Sequence, residues 1–290
     1  MAEKSEGLQR LERAKARLDG IKLIRKNLAG INLEQGNLKE ADFSGSNLRQ
    51  ASFDGAFLNG ALFEKSHCEQ AVFRGASLIK ASFEKARLTG ADFSKADLRE
   101  ARLAGVFAQG TLLPGANLKG ADLNTAFLIG ADLSEADLTR ADLRGAVIKQ
   151  ANLAQANLSA THMAKANLSG SDLSGADLTG SNLSGADLKQ ARFVEADLST
   201  AQLPRSTLRG ADLTGANLAK ANLRGADLED TALEGADLKG ADLTHVVNLT
   251  AEQLQAARLD ARTKLPENLR VHWDSATQYR VLPANPAKTS

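Results

Sequence analysis

ADLSEADLTR, at residues 131–140, consists of two five-residue units that differ only after the leucine. The unit returns as ADFSG at residue 41, ADLTG at residues 176 and 211, and ADLKG at residue 236. A period of five matches neither the 3.6-residue period of an α-helix nor the two-residue period of a flat strand. The chain must therefore turn once in every unit.

The pattern runs without insertion or deletion. Its third residue, here called the centre, recurs every five residues from Leu18 to Leu243, which makes 46 units. Forty-two centres are Leu or Phe, and the residue two before the centre is mostly Ala from Ala41 onward. The four exceptional centres are Cys68, Ala108, Ile148 and Met163. An unbroken frame excludes long inserted loops, so function must lie on the faces or at the ends.

Within a unit, the centre and the residue two before it share one side of an extended segment, so both point inward. The residue between them, usually Asp or Asn, occupies an outward position. The last two residues are often Ser-Gly or Thr-Gly, which are typical of turns and form a corner. This geometry alone leaves open whether three or four corners close one turn of the chain.

The spacing of the central phenylalanines favours four corners. With four, a turn takes 20 residues, and residues 20 apart stack at strand spacing, about 4.8 Å. Two ladders of Phe then form on opposite sides, where ring stacking favours matched neighbours. These ladders are Phe43, Phe63 and Phe83, and Phe53, Phe73 and Phe93, whereas Phe193 stands alone.

A(D/N)LXX in unbroken tandem over residues 16–245 is identified as the signature of the pentapeptide-repeat family. The resemblance implies an all-β fold, a right-handed quadrilateral β-helix (a solenoid), here with about 11 coils from the unit count. It also implies a possible activity, because some members of the family imitate duplex DNA and protect DNA gyrase from quinolones.

The ends of a solenoid must be capped, or exposed strand edges will pair with other chains. Leu8, Leu11 and Ala14 have helical spacing, and Thr250 with Gln253 makes a capping box before a helix expected at about Ala251–Arg258. The predicted organisation is an N-terminal capping helix at 1–17, the repeat at 18–245, a C-terminal helical cap at 246–270 and a tail at 271–290. Order in that tail is expected to depend on contacts of Trp273 and Tyr279.

Composition excludes several classes. The net charge of +1 is expected neither of a strongly basic nucleic-acid binder nor of a strongly acidic nucleic-acid mimic. The single cysteine excludes an internal disulfide, and no apolar run approaches the 18 residues of a membrane helix. The N-terminus has no apolar signal region, so the expected location is cytoplasmic, with no membrane insertion and no direct nucleic-acid binding.

An enzyme is not expected. The four histidines are scattered without metal-ligand spacing, and no phosphate-binding motif occurs, so no cofactor or metal is predicted. His162 lies one turn above Asp142, but such pairs arise by chance among so many repeated polar residues. Cys68 is a centre, and its thiol is expected to be a buried core group.

Apolar residues at outward positions are the main anomaly. Phe107, Phe127 and Val147 are 20 apart and replace Asp or Asn, with Ile129 beside Phe127. Exposed apolar clusters usually mark contact surfaces. Two interpretations stay open: a partner surface, or a surface covered by the tail or by a distorted coil at 106–115. Two further residues, Phe57 and Leu62, predict a smaller exposed site.

The predicted function is a non-enzymatic rod that binds or scaffolds another protein, with monomer and dimer both open. The alternative is a DNA-mimicking binder of DNA gyrase or topoisomerase that confers quinolone-type resistance. Two features argue against that alternative. The charge is balanced, and the outward Asp and Asn ladders are interrupted by Arg87, Arg102 and Arg192.

Overall fold

Parallel bridges between residues 20 apart build the body of the molecule. They run from Lys22↔Asp42 to Asp227↔Val247. The computed structural model describes residues 6–275 and 278–284, and over the repeat each turn of the chain takes 20 residues. The predicted all-β solenoid is confirmed, and residues of one column, 20 apart, are direct neighbours.

Two sets of backbone hydrogen bonds hold each unit. One set joins adjacent turns, as where the Leu23 amide donates to the Asp42 carbonyl at 2.7 Å. The other closes nearly every corner, as where the Ala41 amide donates to the Leu38 carbonyl at 3.1 Å. The last residue of every unit has a left-handed φ, for example 66° at Gly45 and 57° at Lys95. Glycine adopts this φ without steric cost, which explains its frequency at the corner.

From residue 31 onward the interior is lined by the centres and by the residues two before them, which are mostly small, and all of these are buried. The structure places the six ladder phenylalanines in two stacks that meet edge to face. Ring centroids are 4.6 Å apart for Phe63 and Phe83 within one stack and 5.6 Å apart for Phe73 and Phe83 across the interior. Such offset-stacked and T-shaped pairs are the arrangements that aromatic rings prefer.

The N-terminal end is covered by helix α1, Glu6–Ala14, which continues as a 3-10 turn at Lys15–Arg17. Leu8 and Leu11 pack against the core from this side. The Glu12 carboxylate accepts the Asn32 backbone amide at 2.8 Å, a donor that has no preceding coil to pair with. Residues 1–5 of the predicted 1–17 helix lie outside the described residues.

The C-terminal end differs from the expected helix and tail. Helix α2 is Ala251–Gln255, shorter than the predicted segment to Arg258. Strands β1, Leu269–Trp273, and β2, Tyr279–Pro283, then pair antiparallel, so the expectation of a tail beginning at 271 is wrong for this hairpin. Residues 285–290 of that tail lie outside the described residues.

Side chains of α2 attach the hairpin. Gln255 accepts the Val281 amide at 2.9 Å and donates to the Tyr279 carbonyl at 3.0 Å. The Tyr279 hydroxyl donates to the Ala257 carbonyl, and its ring lies 5.0 Å from that of Trp273. The two aromatic residues therefore do order this segment.

The coil at 106–115 is regular, so the expected distortion is wrong. Phe107 and Leu112 both keep their bridges to the neighbouring turns, and only the corner bonds are lengthened, to 3.2 Å at Val106 and 3.3 Å at Thr111. Two features explain why the coil stays regular. Val106 is larger than the usual Ala, and Ala108 is correspondingly smaller than the usual Leu. Pro114 replaces a residue whose amide, in other units, donates to an Asp or Asn side chain and not to the backbone, so no backbone bond is lost.

We expect Val106 and Ala108 to be energetically coupled, because both line a residual core cavity of about 10 Å³. Val106→Ala alone should cost about 2 kcal/mol, since it enlarges this cavity by two methyl groups. In an Ala108→Leu background, the same change restores the usual Ala–Leu pair and should cost nothing. Chemical denaturation of the four proteins measures the coupling, which should be about 2 kcal/mol. Additive effects would contradict the compensation.

Candidate functional site: an exposed aromatic pair

The outward Asp and Asn side chains mostly serve their own backbone. The Asp132 carboxylate accepts a hydrogen bond from the Ser134 amide at 3.0 Å. The Asp137 carboxylate likewise accepts one from the Thr139 amide at 2.9 Å. These side-chain bonds stabilise each corner as an Asx turn does. The long ladder of such residues is thus part of the structure of the repeat.

The two units with proline at the corner support this role, because both lack an outward Asp or Asn. Pro114 and Pro204 stand where the donating amide would be, and their outward residues are Leu112 and Gln202 instead of Asp or Asn. An Asx acceptor has nothing to accept there, because proline lacks an amide hydrogen. The exposed Leu112, which sequence reasoning missed, is therefore explained by its corner, and Pro114 was the signal that could have found it.

Phe107 and Phe127 have no such explanation. Both lie at outward positions in adjacent turns, and their rings stack with centroids 5.3 Å apart and planes within 4°. They remain 49% and 40% exposed. Within the described residues, neither the terminal hairpin nor the 106–115 coil buries them.

The pair forms one wall of a pocket of about 330 Å³. Its main lining residues are Arg87, Thr89, Phe107, Gln109, Phe127 and Ile129. They form two columns, one of outward residues and one of corner residues, each with a 20-residue spacing. The polar members were missed by sequence reasoning, although the same 20-residue offset from Phe107 and Ile129 points to them.

The other predicted contact residues are less prominent. Ile129 and Val147 are half-buried, and Val147 continues the column by its bridge to Phe127. Phe57 is 50% exposed but lies between Asn37 and Ser77 in its column, so it has no aromatic neighbour there. Leu62 is half-buried, which corrects its expected exposure.

A charged cluster adjoins the pocket. Glu69 Oε1 lies 3.2 Å from an Arg49 nitrogen, 3.0 Å from Arg87 Nε and 3.6 Å from His67 Nδ1. Desolvation raises the pKa of the Glu69 carboxyl, but hydrogen bonds from its own backbone amide and from Arg49 outweigh it and leave this pKa below the usual value. Glu69 is therefore a fixed anion between two guanidinium groups.

The described residues offer little for catalysis. Asp142 is held by Arg144, with a shortest contact of 2.5 Å, and has no hydrogen bond to His162. Burial raises the pKa of the Cys68 thiol to about 12, which leaves no reactive thiolate at neutral pH. Among these residues no group of three or more His, Cys, Asp or Glu could hold a metal ion. The helices of the described residues also lack the length and apolar character needed to span a bilayer.

Comparison with known proteins agrees with this geometry. The family model for pentapeptide repeats matches eight times, at residues 27–64, 66–105, 111–150, 141–180, 151–190, 171–210, 181–218 and 211–247. No curated protein sequence matches the chain.

Solved structures similar to the chain include three pentapeptide repeat proteins. HetL, a pentapeptide repeat protein involved in heterocyst differentiation regulation from the cyanobacterium Nostoc sp. strain PCC 7120, is 26% identical, over 89% of this chain and 98% of its own, with a TM-score of 0.36. Rfr23 from the cyanobacterium Cyanothece 51142 is 33% identical, over 41% of this chain and 90% of its own, with a TM-score of 0.22. QnrB1, a plasmid-mediated fluoroquinolone resistance protein, is 18% identical, over 83% of this chain and 94% of its own, with a TM-score of 0.22. Because the repeat model covers most of the chain, the protein belongs to the pentapeptide-repeat family.

Proposed function

We propose that the protein is a non-enzymatic interaction module, a right-handed four-sided rod of about 11 coils that presents the Phe107–Phe127 pocket to another protein in the cytoplasm. The observation that carries this proposal is the stacked, half-exposed aromatic pair at positions where the repeat otherwise places polar residues.

Energetics support a contact role. Each exposed ring leaves apolar surface in water, which costs about 25 cal/mol per Å² relative to burial. Burial of such rings in a partner therefore recovers free energy, and aromatic anchors in pockets commonly dominate interfaces. The stacked geometry adds pre-organisation, since both rings sit on a rigid backbone ladder and lose little freedom on binding.

The DNA-mimic alternative receives less support. The Asp97 and Asp227 carboxylates are each paired with an arginine, at 2.6 Å to Arg99 and 2.6 Å to Arg209. Paired charges weaken the field that a DNA-like surface needs. The Asx role of the outward Asp and Asn residues also explains their frequency without a nucleic-acid role.

A variant with Phe107→Asp and Phe127→Asp tests the proposal. We expect partner recovery in affinity purification from the native cell to fall at least 100-fold, because two anchors worth about 2 kcal/mol each become charged. Phe57→Asp is the matched control, since Phe57 is 50% exposed at the same repeat position but lies outside the pocket. Circular dichroism should show both variants folded. Equal partner recovery by the two variants would refute the proposed site.

A further inference from the structure

Arg87 combines a fixed position with free donors at the edge of the aromatic pocket. Its side chain lines the pocket and is 59% exposed. The Nε atom forms an ion pair with Glu69 Oε1 at 3.0 Å, and the two terminal nitrogens have no recorded partner among the described residues. A guanidinium has five N–H donors, so most of the hydrogen-bonding capacity of Arg87 faces solvent.

The charge balance beside the pocket is incomplete. Arg49 and Arg87 share the single carboxylate of Glu69, and both guanidinium groups contact its Oε1 atom, at 3.2 Å and 3.0 Å. One anion thus serves two cations. A second carboxylate would complete the cluster and could bind the terminal edge of Arg87 in two parallel hydrogen bonds, the strong geometry for this pair.

The terminal edge of Arg87 is held in place before a ligand binds, which favours binding of a carboxylate. An exposed arginine ordinarily loses rotamer freedom on binding a carboxylate, which offsets much of the gain. The ion pair between Nε and Glu69 already restrains Arg87, so less of that cost remains.

We propose that the pocket binds an extended protein segment that carries an acidic side chain a few residues from an apolar one. The apolar side chain packs against Phe107, Phe127 and Ile129, and the carboxylate pairs with the terminal nitrogens of Arg87. This inference rests on the proposed function and names the chemistry of the partner for the same site.

Spacing sets the distance between the two side chains. Arg87 and Phe127 are two turns apart in one column, roughly 10 Å at strand spacing. An extended segment along the rod advances roughly 3.3 Å per residue, so the acidic and apolar residues should be about three positions apart.

A display selection tests the proposal. Random ten-residue peptides, fused at the N-terminus of a phage coat protein so that they have no free C-terminal carboxylate, are selected on the immobilised full-length protein. Phe127→Asp, Arg87→Gln and Arg74→Gln proteins are then compared on the selected clones. Arg74 is the matched control, because it is similarly exposed and paired with Asp54 away from the pocket.

The expected clones carry Asp or Glu two to four positions from an aromatic or aliphatic residue. They should lose binding on Phe127→Asp, bind Arg87→Gln at least tenfold more weakly and bind Arg74→Gln normally. Clones that need Phe127 but lack an acidic residue, or that bind Arg87→Gln normally, overturn this inference and leave the proposed function standing. Clones indifferent to Phe127→Asp count against both, and no enrichment at all overturns the inference.

Discussion

Replacement of Phe73 by Ala is expected to lower the free energy of unfolding by about 3–5 kcal/mol. Phe73 is fully buried and stacks on Phe53 at 4.9 Å and on Phe93 at 4.6 Å. It also meets the rings of Phe63 and Phe83 edge to face, each at 5.6 Å. The substitution removes four ring contacts and leaves a cavity that the closed coil cannot easily fill.

Two control substitutions separate ring stacking from loss of volume. Phe193→Ala removes an equally buried Phe that stands outside both ladders, so its cost should be lower by about 1 kcal/mol or more, the scale of one aromatic pair. Phe73→Leu introduces the side chain that most coils use at the centre and should cost less than Phe73→Ala. Denaturant unfolding measures all three. Equal losses for Phe73→Ala and Phe193→Ala would show that the ladder adds nothing beyond burial.

Gln253→Ala is expected to open the C-terminal end, with a loss of about 2–3 kcal/mol. Gln253 Oε1 accepts the Thr250 amide at 2.9 Å and completes the capping box of α2. Its Nε2 also donates to the Leu228 and Thr231 carbonyls, each at 2.9 Å. One side chain thus caps both the helix and the edge of the last coils.

Gln255→Ala is the matched control for this prediction, because Gln255 lies on the same helix but bonds only the hairpin. Hydrogen exchange should speed up in the last coils for Gln253→Ala and only in β1 and β2 for Gln255→Ala. Exposed edges also favour end-to-end pairing, so concentration-dependent association is expected for Gln253→Ala alone. Identical exchange patterns in the two variants would contradict a capping role for Gln253.

Much of the fold could be predicted because the repeat converts sequence distance into spatial distance. Once a turn takes 20 residues, the neighbours of Phe107 are Arg87 and Phe127, and the pocket could be listed column by column from the sequence. Arg87 reads in the sequence as an interruption of a polar ladder, and only its 20-residue offset from Phe107 places it at the pocket. Taken singly, the unusual residues of the 106–115 coil predict a distortion that the pairing of the larger Val106 with the smaller Ala108 avoids.

The C-terminal hairpin could not be predicted in the same way. It follows the last unit, so no period applies to it, and each of its strands has only five residues. Its position depends on single side-chain contacts, from Gln255 and the Tyr279 hydroxyl, which no local pattern announces. The position of this hairpin relative to the aromatic pair could not be predicted for the same reason.

Site-specific photocrosslinking in the native cell tests the proposed contact surface most directly. A photoreactive residue at Gln109 lies within the pocket, and one at Ser169 occupies the same corner column three turns away. We expect a discrete crosslinked protein from position 109, none from position 169, and loss of the product when Phe127→Asp is added. The same product from both positions, or one from position 109 that persists with Phe127→Asp, would contradict the proposed contact surface.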